Sequence, residues 1–174
     1  MSHSEVEVTI RAAITEDAAS LLEFWRAEVI PCDFLVSDEF DAQISPQILA
    51  DELANIYESD NNLLLLAFEN ETLIGYLRIE ADESYQRGHV GELGIIVSQQ
   101  FRHQGLGYAL MADSLDWVAH ESQLRRIELY VQKRNQVAQR LYRQFDFELE
   151  GESPASFRTK EGDLITTLLM ARLF

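Results

Sequence analysis

Apolar and polar residues follow the period of β-strands in several parts of the chain. Polar residues separate Val6, Val8 and Ile10, which is the alternation of a strand with one buried face. Two largely apolar runs, over 63–68 and 73–80, flank a short polar turn and predict a β-hairpin. Further strands are predicted over 89–97, 127–131, 147–151 and 164–174.

Helical spacing of apolar residues fills the stretches between these strands. Thr15 is placed to cap a first helix, which carries acidic residues in its first turn and apolar residues as far as Trp25. A second helix is predicted to begin at Pro46, because proline is favoured at the first helical position. Two more helices are predicted over 105–120 and 135–145, where apolar residues recur every three to four positions.

The predicted order of elements is β-α-α-β-β-β-α-β-α-β-β. It indicates a mixed α/β (α+β) domain in which four helices flank one sheet of about seven strands. The strand–helix–strand unit over 89–131 should be a right-handed crossover that joins parallel strands. Nothing in the 174 residues resembles a linker, so we expect a single domain over 1–174.

Composition and charge narrow the class of protein. The chain is 47% hydrophobic and 25% charged, values typical of a globular protein with an adequate core. Its formal net charge is -16, which argues against a nucleic-acid partner because such binding needs a basic surface. Residues 1–87 hold 19 acidic residues against 4 arginines, so most of the negative charge lies in the first half.

Cysteine and histidine usage points to a reduced, metal-free protein. Cys32 is the only cysteine, so no internal disulfide can form and a cytoplasmic location is expected. The four histidines lack the spacing of metal ligands. No apolar run approaches the length of about 20 residues needed to span a membrane, and the N-terminus does not resemble a signal peptide.

The most informative stretch for chemistry follows the strand that ends at Val97. Gly105 and Gly107 open a helix there, and Arg102 precedes them. The first amide groups of a helix have no intrahelical partner and carry the positive end of its dipole, so they suit a phosphate or pyrophosphate. A P-loop is excluded because its motif is absent, and a dinucleotide-binding motif is excluded because Leu110 stands where it needs glycine.

The residues around this loop resemble the GNAT superfamily of N-acetyltransferases. Arg102-His103-Gln104-Gly105-Leu106-Gly107 matches the family's [QR]-x-x-G-x-[GA] acetyl-CoA signature. The resemblance extends to the preceding strand 92–97, to the opening at 10–17, and to Leu129-Tyr130-Val131 with Asn135, Ala138, Leu141 and Tyr142. It departs from the family at Asp146, where a glycine usually ends the helix; we expect a modest loss of stability there.

The resemblance implies a fold and a cofactor. In this family strands 4 and 5 of the sheet are parallel and splay apart, and acetyl-CoA binds beside them as co-substrate, with no metal. Main-chain groups of Ile95, Ile96 and Val97 would pair with the pantetheine arm, and Asn135 would hydrogen-bond it. The pyrophosphate would lie on the loop formed by Arg102, His103, Gln104, Gly105, Leu106, Gly107 and Tyr108.

The resemblance also implies a reaction, the transfer of an acetyl group to a primary amine in a ternary complex. An amide near Ile95 or Ile96 would stabilise negative charge on the carbonyl oxygen. Tyr142 is the candidate acid for the leaving thiolate, with core packing as the alternative. Glu92 is the candidate base, either directly or through a water relay, with a solvated carboxylate as the alternative. Glu128 has a comparable place, and we expect it to be structural.

The acceptor is a small-molecule or peptide amine whose identity the sequence leaves open. In the family the first two helices wall the acceptor site. Over 16–60 this stretch has Arg26 as its one basic residue. Its acidic residues are Glu16, Asp17, Glu23, Glu28, Asp33, Asp38, Glu39, Asp41, Asp51, Glu52, Glu58 and Asp60. They would favour a cationic acceptor, or they form a solvated face that keeps the protein soluble.

Other interpretations stay open at this point. Phe24, Trp25, Phe34 and Phe40 either line the acceptor pocket or belong to the core. The main alternative function is a non-catalytic CoA-binding sensor or scaffold. A nucleotide-dependent oxidoreductase that uses the glycine loop is a second alternative. Family members are often dimers, so a homodimer is compatible with the resemblance, although no segment identifies an interface.

Overall fold

A computed structural model describes residues 7–34 and 43–174. Seven strands form one sheet in the order β1-β2-β3-β4-β5-β7-β6. The strands are β1 (Val8–Ala12), β2 (Leu63–Glu69), β3 (Thr72–Ala81), β4 (Val90–Val97), β5 (Arg126–Gln132), β6 (Glu148–Arg158) and β7 (Leu164–Leu173). The helices are α1 (Ala18–Phe24), α2 (Pro46–Tyr57), α3 (Leu106–His120) and α4 (Gln136–Gln144). The predicted order of elements and the mixed α/β class are confirmed.

Two hydrophobic clusters pack on opposite faces of the sheet. Leu63, Leu65 and Ala67 of β2 face α3, whereas Leu64 and Leu66 face α1 and α2. Because side chains alternate along a strand, the continuous apolar run of β2 is buried on both sides. We refer to the two sides as the α3/α4 face and the α1/α2 face.

The strand pairing is antiparallel except in one place. β4 and β5 are parallel, and α3 connects them as the expected crossover. β3 pairs along the whole length of β4, and β7 pairs along the whole length of β5. The parallel pair therefore lies inside the sheet, where both of its outer edges are already hydrogen-bonded.

The start of α1 differs from the prediction. Thr15 is not the helix cap but lies in a 3-10 turn (Thr15–Asp17), and α1 begins at Ala18. The Asp17 carboxylate accepts the amide of Ile14 at 2.8 Å and two hydrogen bonds from Arg11 at 2.7 and 2.8 Å. Asp17 directly precedes α1, but its carboxylate accepts no amide of that helix. The Thr15 hydroxyl donates to the Glu16 carboxylate at 2.8 Å and caps no helix either.

The predicted strand over 147–151 is too short, since β6 extends to Arg158. Its last part is exposed and carries an irregular pairing between Ser153 and Phe157, with Ala155 at a φ of 52°. An exposed edge strand needs no apolar alternation, so its pattern gave no signal. Asp146, which stands where the family usually has a glycine, adopts a left-handed conformation with a φ of 60°.

Some predicted positions fall outside the described residues, namely Val6, Asp38, Glu39, Phe40 and Asp41. Among the aromatic residues that are described, Phe24 is 5% exposed and belongs to the core. Trp25 packs against the same cluster. Phe34 is 42% exposed and lies under the guanidinium of Arg134, so it is not a core residue.

Candidate active site

A gap between β4 and β5 is the central feature of the site. The two strands pair only through Val90↔Arg126, Gly91↔Ile127 and Glu92↔Glu128. Beyond the last pair β4 continues to Val97 and β5 to Gln132, each held only by its outer neighbour. The gap is therefore closed at Glu92 and Glu128 and opens toward the carboxyl ends of the strands, as expected for splayed strands 4 and 5.

Main-chain groups of β4 line one side of this gap. The amide of Ser98 donates to Ile74 of β3 at 2.8 Å, and main-chain groups alternate in direction along a strand. Ile96 therefore points its amide and carbonyl toward β3, whereas Ile95 and Val97 point theirs into the gap. Arg102 Nε donates to the Val97 carbonyl at 3.0 Å, which places its guanidinium at the open end of the gap.

The loop after β4 presents a row of free amides. It comprises a 3-10 turn (Gln99–Phe101), His103 at a φ of 62° and Gly105 at a φ of 86°. Among the described residues, the amides of 102–108 find no hydrogen-bond acceptor, and the amide of Ala109 is the next to bond, to the Gly105 carbonyl at 3.0 Å. These donors lie at the positive end of the 15-residue helix α3 and suit an anion.

Gly107 explains how the start of α3 reaches the gap. A Cβ atom at Gly107 would lie 3.3 Å from Leu141 of α4 and 4.0 Å from Ile95 of β4. The missing side chain thus allows a close approach of three elements. The rings of Tyr108 and Phe145 pack with centroids 4.7 Å apart and join the same two helices.

Asn135 caps α4 at the other side of the gap. Its side-chain Oδ1 accepts the amide of Ala138 at 3.2 Å. Among the described residues its side-chain NH₂ has no acceptor. The oxygen therefore has a structural role, and the NH₂ group is available for a ligand.

Tyr142 and Glu92 lie on opposite faces of the sheet. Tyr142 is 7% exposed on the α3/α4 face, in one cluster with Leu93 and Leu129, which directly follow the last β4–β5 pair. Burial raises the pKa of the Tyr142 hydroxyl to about 12, so the hydroxyl stays protonated at neutral pH. Glu92 is exposed and alternates with Leu93, which places it on the α1/α2 face.

Glu92 is part of a row of carboxylates on that face. Glu80 and Glu128 are its register partners on β3 and β5. Desolvation is the main cause that raises the pKa of Glu92, and these two carboxylates add to it against the opposing charge of Arg78. Glu92 thus binds a proton more readily than an ordinary glutamate.

Glu128, in contrast, is fully engaged within the protein. It is 8% exposed and accepts hydrogen bonds from Arg87 at 2.8 Å and Arg126 at 2.9 Å. The same arginines also bind Asp82 and Glu150. A structural role for Glu128 follows from these contacts.

A bridge segment over 25–34 crosses the open end of the gap, and sequence reasoning missed it. It begins with one turn of π-helix (Trp25–Val29) after α1. The Glu28 carboxylate accepts the hydroxyl of Ser98 at 2.6 Å and the amide of Gln99 at 3.2 Å. This contact attaches the segment to the end of β4.

The bridge segment is also attached to the end of β5. Gln132 is 3% exposed, and its side-chain NH₂ donates to the Asp33 carbonyl at 2.8 Å. Arg134 binds the Asp33 carboxylate at 2.5 Å and holds the side chain of Gln132 at 2.8 Å. Lys160 donates to the Ile30 carbonyl. No local pattern in the sequence marks these partners, because 70 to 130 residues separate them from the segment.

Two classes of feature are absent from the described residues. No group of three or more His, Cys, Asp or Glu side chains is arranged to hold a metal ion there. Within the same part of the chain no helix has the length and hydrophobicity needed to cross a membrane.

A splayed parallel pair with a row of free amides at its open end is the arrangement that the resemblance to the GNAT superfamily predicts. The chain belongs to the Acetyltransferase (GNAT) family, whose profile matches residues 24–147. It is similar to the L-amino acid N-acetyltransferase AaaT of Escherichia coli (strain K12), with 26% identity over 96% of this chain and 98% of that protein.

Solved structures agree with this assignment. An acetyltransferase of the GNAT family from Streptococcus pneumoniae is 33% identical, with a TM-score of 0.91 over 97% of this chain and 100% of that one. A phosphinothricin acetyltransferase from Sinorhizobium meliloti, in complex with acetyl-CoA, is 22% identical, with a TM-score of 0.81 over 96% of this chain and 88% of that one. The protein is therefore an acetyltransferase of the GNAT family.

Proposed function

We propose that the protein moves the acetyl group of acetyl-CoA to a primary amine by direct attack in a ternary complex. The observation that carries this proposal is the β4–β5 gap. Tyr142 packs in the α3/α4 cluster that contains Leu93 and Leu129 beside the gap, and Glu92 lies at its closed end on the α1/α2 face. Such a gap lets a thioester on one side meet an amine that arrives from the other.

Residues on both sides of the gap would suit coenzyme A. The amides of His103 to Tyr108 would hold the pyrophosphate, with Arg102 as the neighbouring cation. The pantetheine arm would pair with Ile95 and Val97 like an added strand, and the Asn135 NH₂ would donate to it. Arg102 must release the Val97 carbonyl if the arm is to use that acceptor. Ile96 would contribute through its position and not through its amide.

Tyr142 would give a proton to the leaving thiolate as the carbon–sulfur bond breaks. A thiol has an ordinary pKa of about 8.5, so a donor that stays protonated at neutral pH is sufficient. The raised pKa of Tyr142 makes it such a donor, although a weaker acid than a free tyrosine. The Ile95 amide, which points into the gap, is the candidate donor to the carbonyl oxygen.

Glu92 would accept the proton that the attacking amine must lose. An alkylammonium ion has an ordinary pKa of about 10.4 and is not nucleophilic. A raised pKa brings the carboxylate of Glu92 closer to the pKa of the amine, which makes the carboxylate a better base. Glu92 lies one residue before the gap opens, so a bound water is the alternative route between amine and carboxylate.

Two acceptor classes have support. The acidic residues of the first half favour a cationic amine. The similarity to AaaT, which is named for L-amino acids, favours the amine of a free amino acid. We give the amino acid precedence, because the similarity extends over nearly the whole length of both chains.

The experiment is an acceptor screen that follows thiol release from acetyl-CoA. The panel contains L-amino acids, diamines, aminoglycosides and peptides with free N-termini. We expect turnover above the hydrolytic background with at least one primary amine, together with an acetylated product by mass spectrometry. Tight acetyl-CoA binding without turnover on any amine would favour the non-catalytic sensor. Protection from proteolysis by NAD and not by CoA would favour the oxidoreductase.

A further inference from the structure

On the α1/α2 face of the sheet, the space above Gly94, next to Glu92, is not filled by any side chain of the described residues. We call this space the open position. Gly94 follows Glu92 on the same face of β4, and nothing in the described structure lies within 4 Å of the place where its Cβ would be. Same-face neighbours on one strand are about 6.6 Å apart. The open position is therefore within reach of a small molecule that contacts Glu92.

Arg78 borders this open position on the adjacent strand. It is the register partner of Gly94, and its charge acts on the Glu92 carboxylate. Its side chain is 49% exposed and binds Glu80, which is 61% exposed, at 2.9 Å through Nη1. Such an exposed ion pair is worth little, so the guanidinium can exchange partners at low cost.

Neighbouring arginines are held more firmly. Arg87 and Arg126 each bind two carboxylates, one of which is the buried Glu128. Arg134 binds Asp33 and stacks on Phe34. Of these four arginines, Arg78 is the one with the weakest attachment and the one nearest to the open position.

We propose that Arg78 binds the carboxylate of an α-amino acid whose amine lies beside Glu92, which makes Arg78 the residue that selects amino acids over simple amines. This inference rests on the proposed function. An α-amino acid carries both charges on one carbon, and Arg78 and Glu92 present the two complementary charges on adjacent strands. A negatively charged surface otherwise repels a carboxylate, so one accessible arginine has a large effect on selection.

The test compares L-amino acids with their own carboxamides, which keep the amine and side chain but lack the negative charge. We expect the unmodified enzyme to prefer the acids. Arg78→Gln should lower kcat/KM for the acids roughly tenfold or more, mainly through KM, and change that for the amides less than about twofold. Arg78→Lys should recover part of the activity on acids. Arg158→Gln, which removes an exposed arginine on β6, is the matched control and should change neither.

The outcomes separate this inference from the proposed function. Equal losses on acids and amides would give Arg78 a merely structural role and overturn the inference. Turnover with diamines or peptides, but not with any L-amino acid, would overturn it while the proposed function stands. No acetylation of any amine would overturn both.

Discussion

At the scale of single residues, the proposed acid Tyr142 and the proposed base Glu92 lie on opposite faces of one sheet. The hydroxyl is buried and kept protonated, whereas the carboxylate is exposed and has a raised pKa. These environments keep the proposed acid protonated at neutral pH and let the proposed base bind a proton more readily, although the raised pKa of Tyr142 also makes its hydroxyl a weaker acid.

Tyr142→Phe keeps the ring and removes the proposed proton donor. We expect kcat to fall about 10- to 100-fold, because general acid catalysis has effects of this order or larger. The KM for acetyl-CoA should change little, since the ring continues to pack against Phe147. Steady-state kinetics with the best acceptor provide the measurement. An unchanged kcat would assign Tyr142 to packing alone.

Glu92→Gln removes the proposed base without changing its size. We expect kcat/KM to fall about 100-fold near neutral pH. In the unmodified enzyme, kcat/KM should decrease as the pH falls through the raised pKa of Glu92, because only the ionised carboxylate can accept a proton. The variant should lack this acidic limb. A loss below about threefold with the limb retained would indicate that another base acts.

Asp17→Asn tests the ion pair between Asp17 and Arg11, which lies just before α1. Desolvation acts to raise the pKa of Asp17, but hydrogen bonds from Arg11 and Ile14 lower it overall. A lowered pKa in the folded state stabilises the protein above the ordinary pKa of about 3.9, and this stabilisation is lost as the pH falls through the lowered value. We expect the free energy of unfolding to fall by about 2 kcal/mol at pH 7, with Arg11 partly exposed.

Urea denaturation at several pH values measures this effect. The difference between the unmodified protein and Asp17→Asn should begin to narrow below about pH 4, where the carboxylate of the unfolded chain takes up a proton. It should be lost once the pH has fallen through the lowered pKa of the native carboxylate. A difference that stays constant over that range would mean that the variant disturbs packing and not the ion pair.

At the scale of elements, the loop between β4 and α3 depends on the left-handed conformation of Gly105. Gly105→Val should cost about 1–3 kcal/mol of stability, because a β-branched residue is strained at a φ of 86°. It should also weaken acetyl-CoA binding more than tenfold, since its side chain would project among the amides that face the phosphates. Calorimetric titration with acetyl-CoA measures the affinity.

Gly162→Val is the matched control for this prediction. Gly162 has a φ of 94° and equally open surroundings, but it lies in the turn between β6 and β7. We expect a comparable loss of stability with unchanged acetyl-CoA affinity. If Gly105→Val and Gly162→Val bind acetyl-CoA with the same affinity, the phosphates of acetyl-CoA do not lie at the loop between β4 and α3.

The elements were predictable from sequence to different degrees. β2 is a continuous apolar run, and α3 and α4 carry helical periodicity. All three appear close to their predicted positions, and the [QR]-x-x-G-x-[GA] signature marks the loop between β4 and α3. The edge strand β6 lacks a buried pattern, so its length was not predictable. The bridge segment depends on pairs such as Glu28 with Ser98, which only the folded chain brings together.

At the scale of the whole molecule, the charge of -16 should influence which amines approach the enzyme. We expect the KM for a diamine to rise several-fold when ionic strength increases from about 0.02 to 0.5 M, because salt screens the attraction. The KM for an L-amino acid, whose net charge is zero, should rise less than twofold. Equal changes in KM for the diamine and the L-amino acid would mean that the acidic residues keep the protein soluble and do not select the acceptor.

The two attachments of the bridge segment bear on any attempt to redesign this enzyme. A chimera that receives the 25–34 stretch of a relative would lose the contacts with Ser98, Gln132 and Arg134 unless the graft includes their counterparts. Those residues lie at the ends of the two strands that flank the gap. A poorly matched graft would therefore disturb the proposed acetyl-CoA site as well as the proposed acceptor site. We therefore expect substrate range and acetyl-CoA affinity to change together in such chimeras. Recombination libraries should take the bridge segment and its three partner residues from one parent.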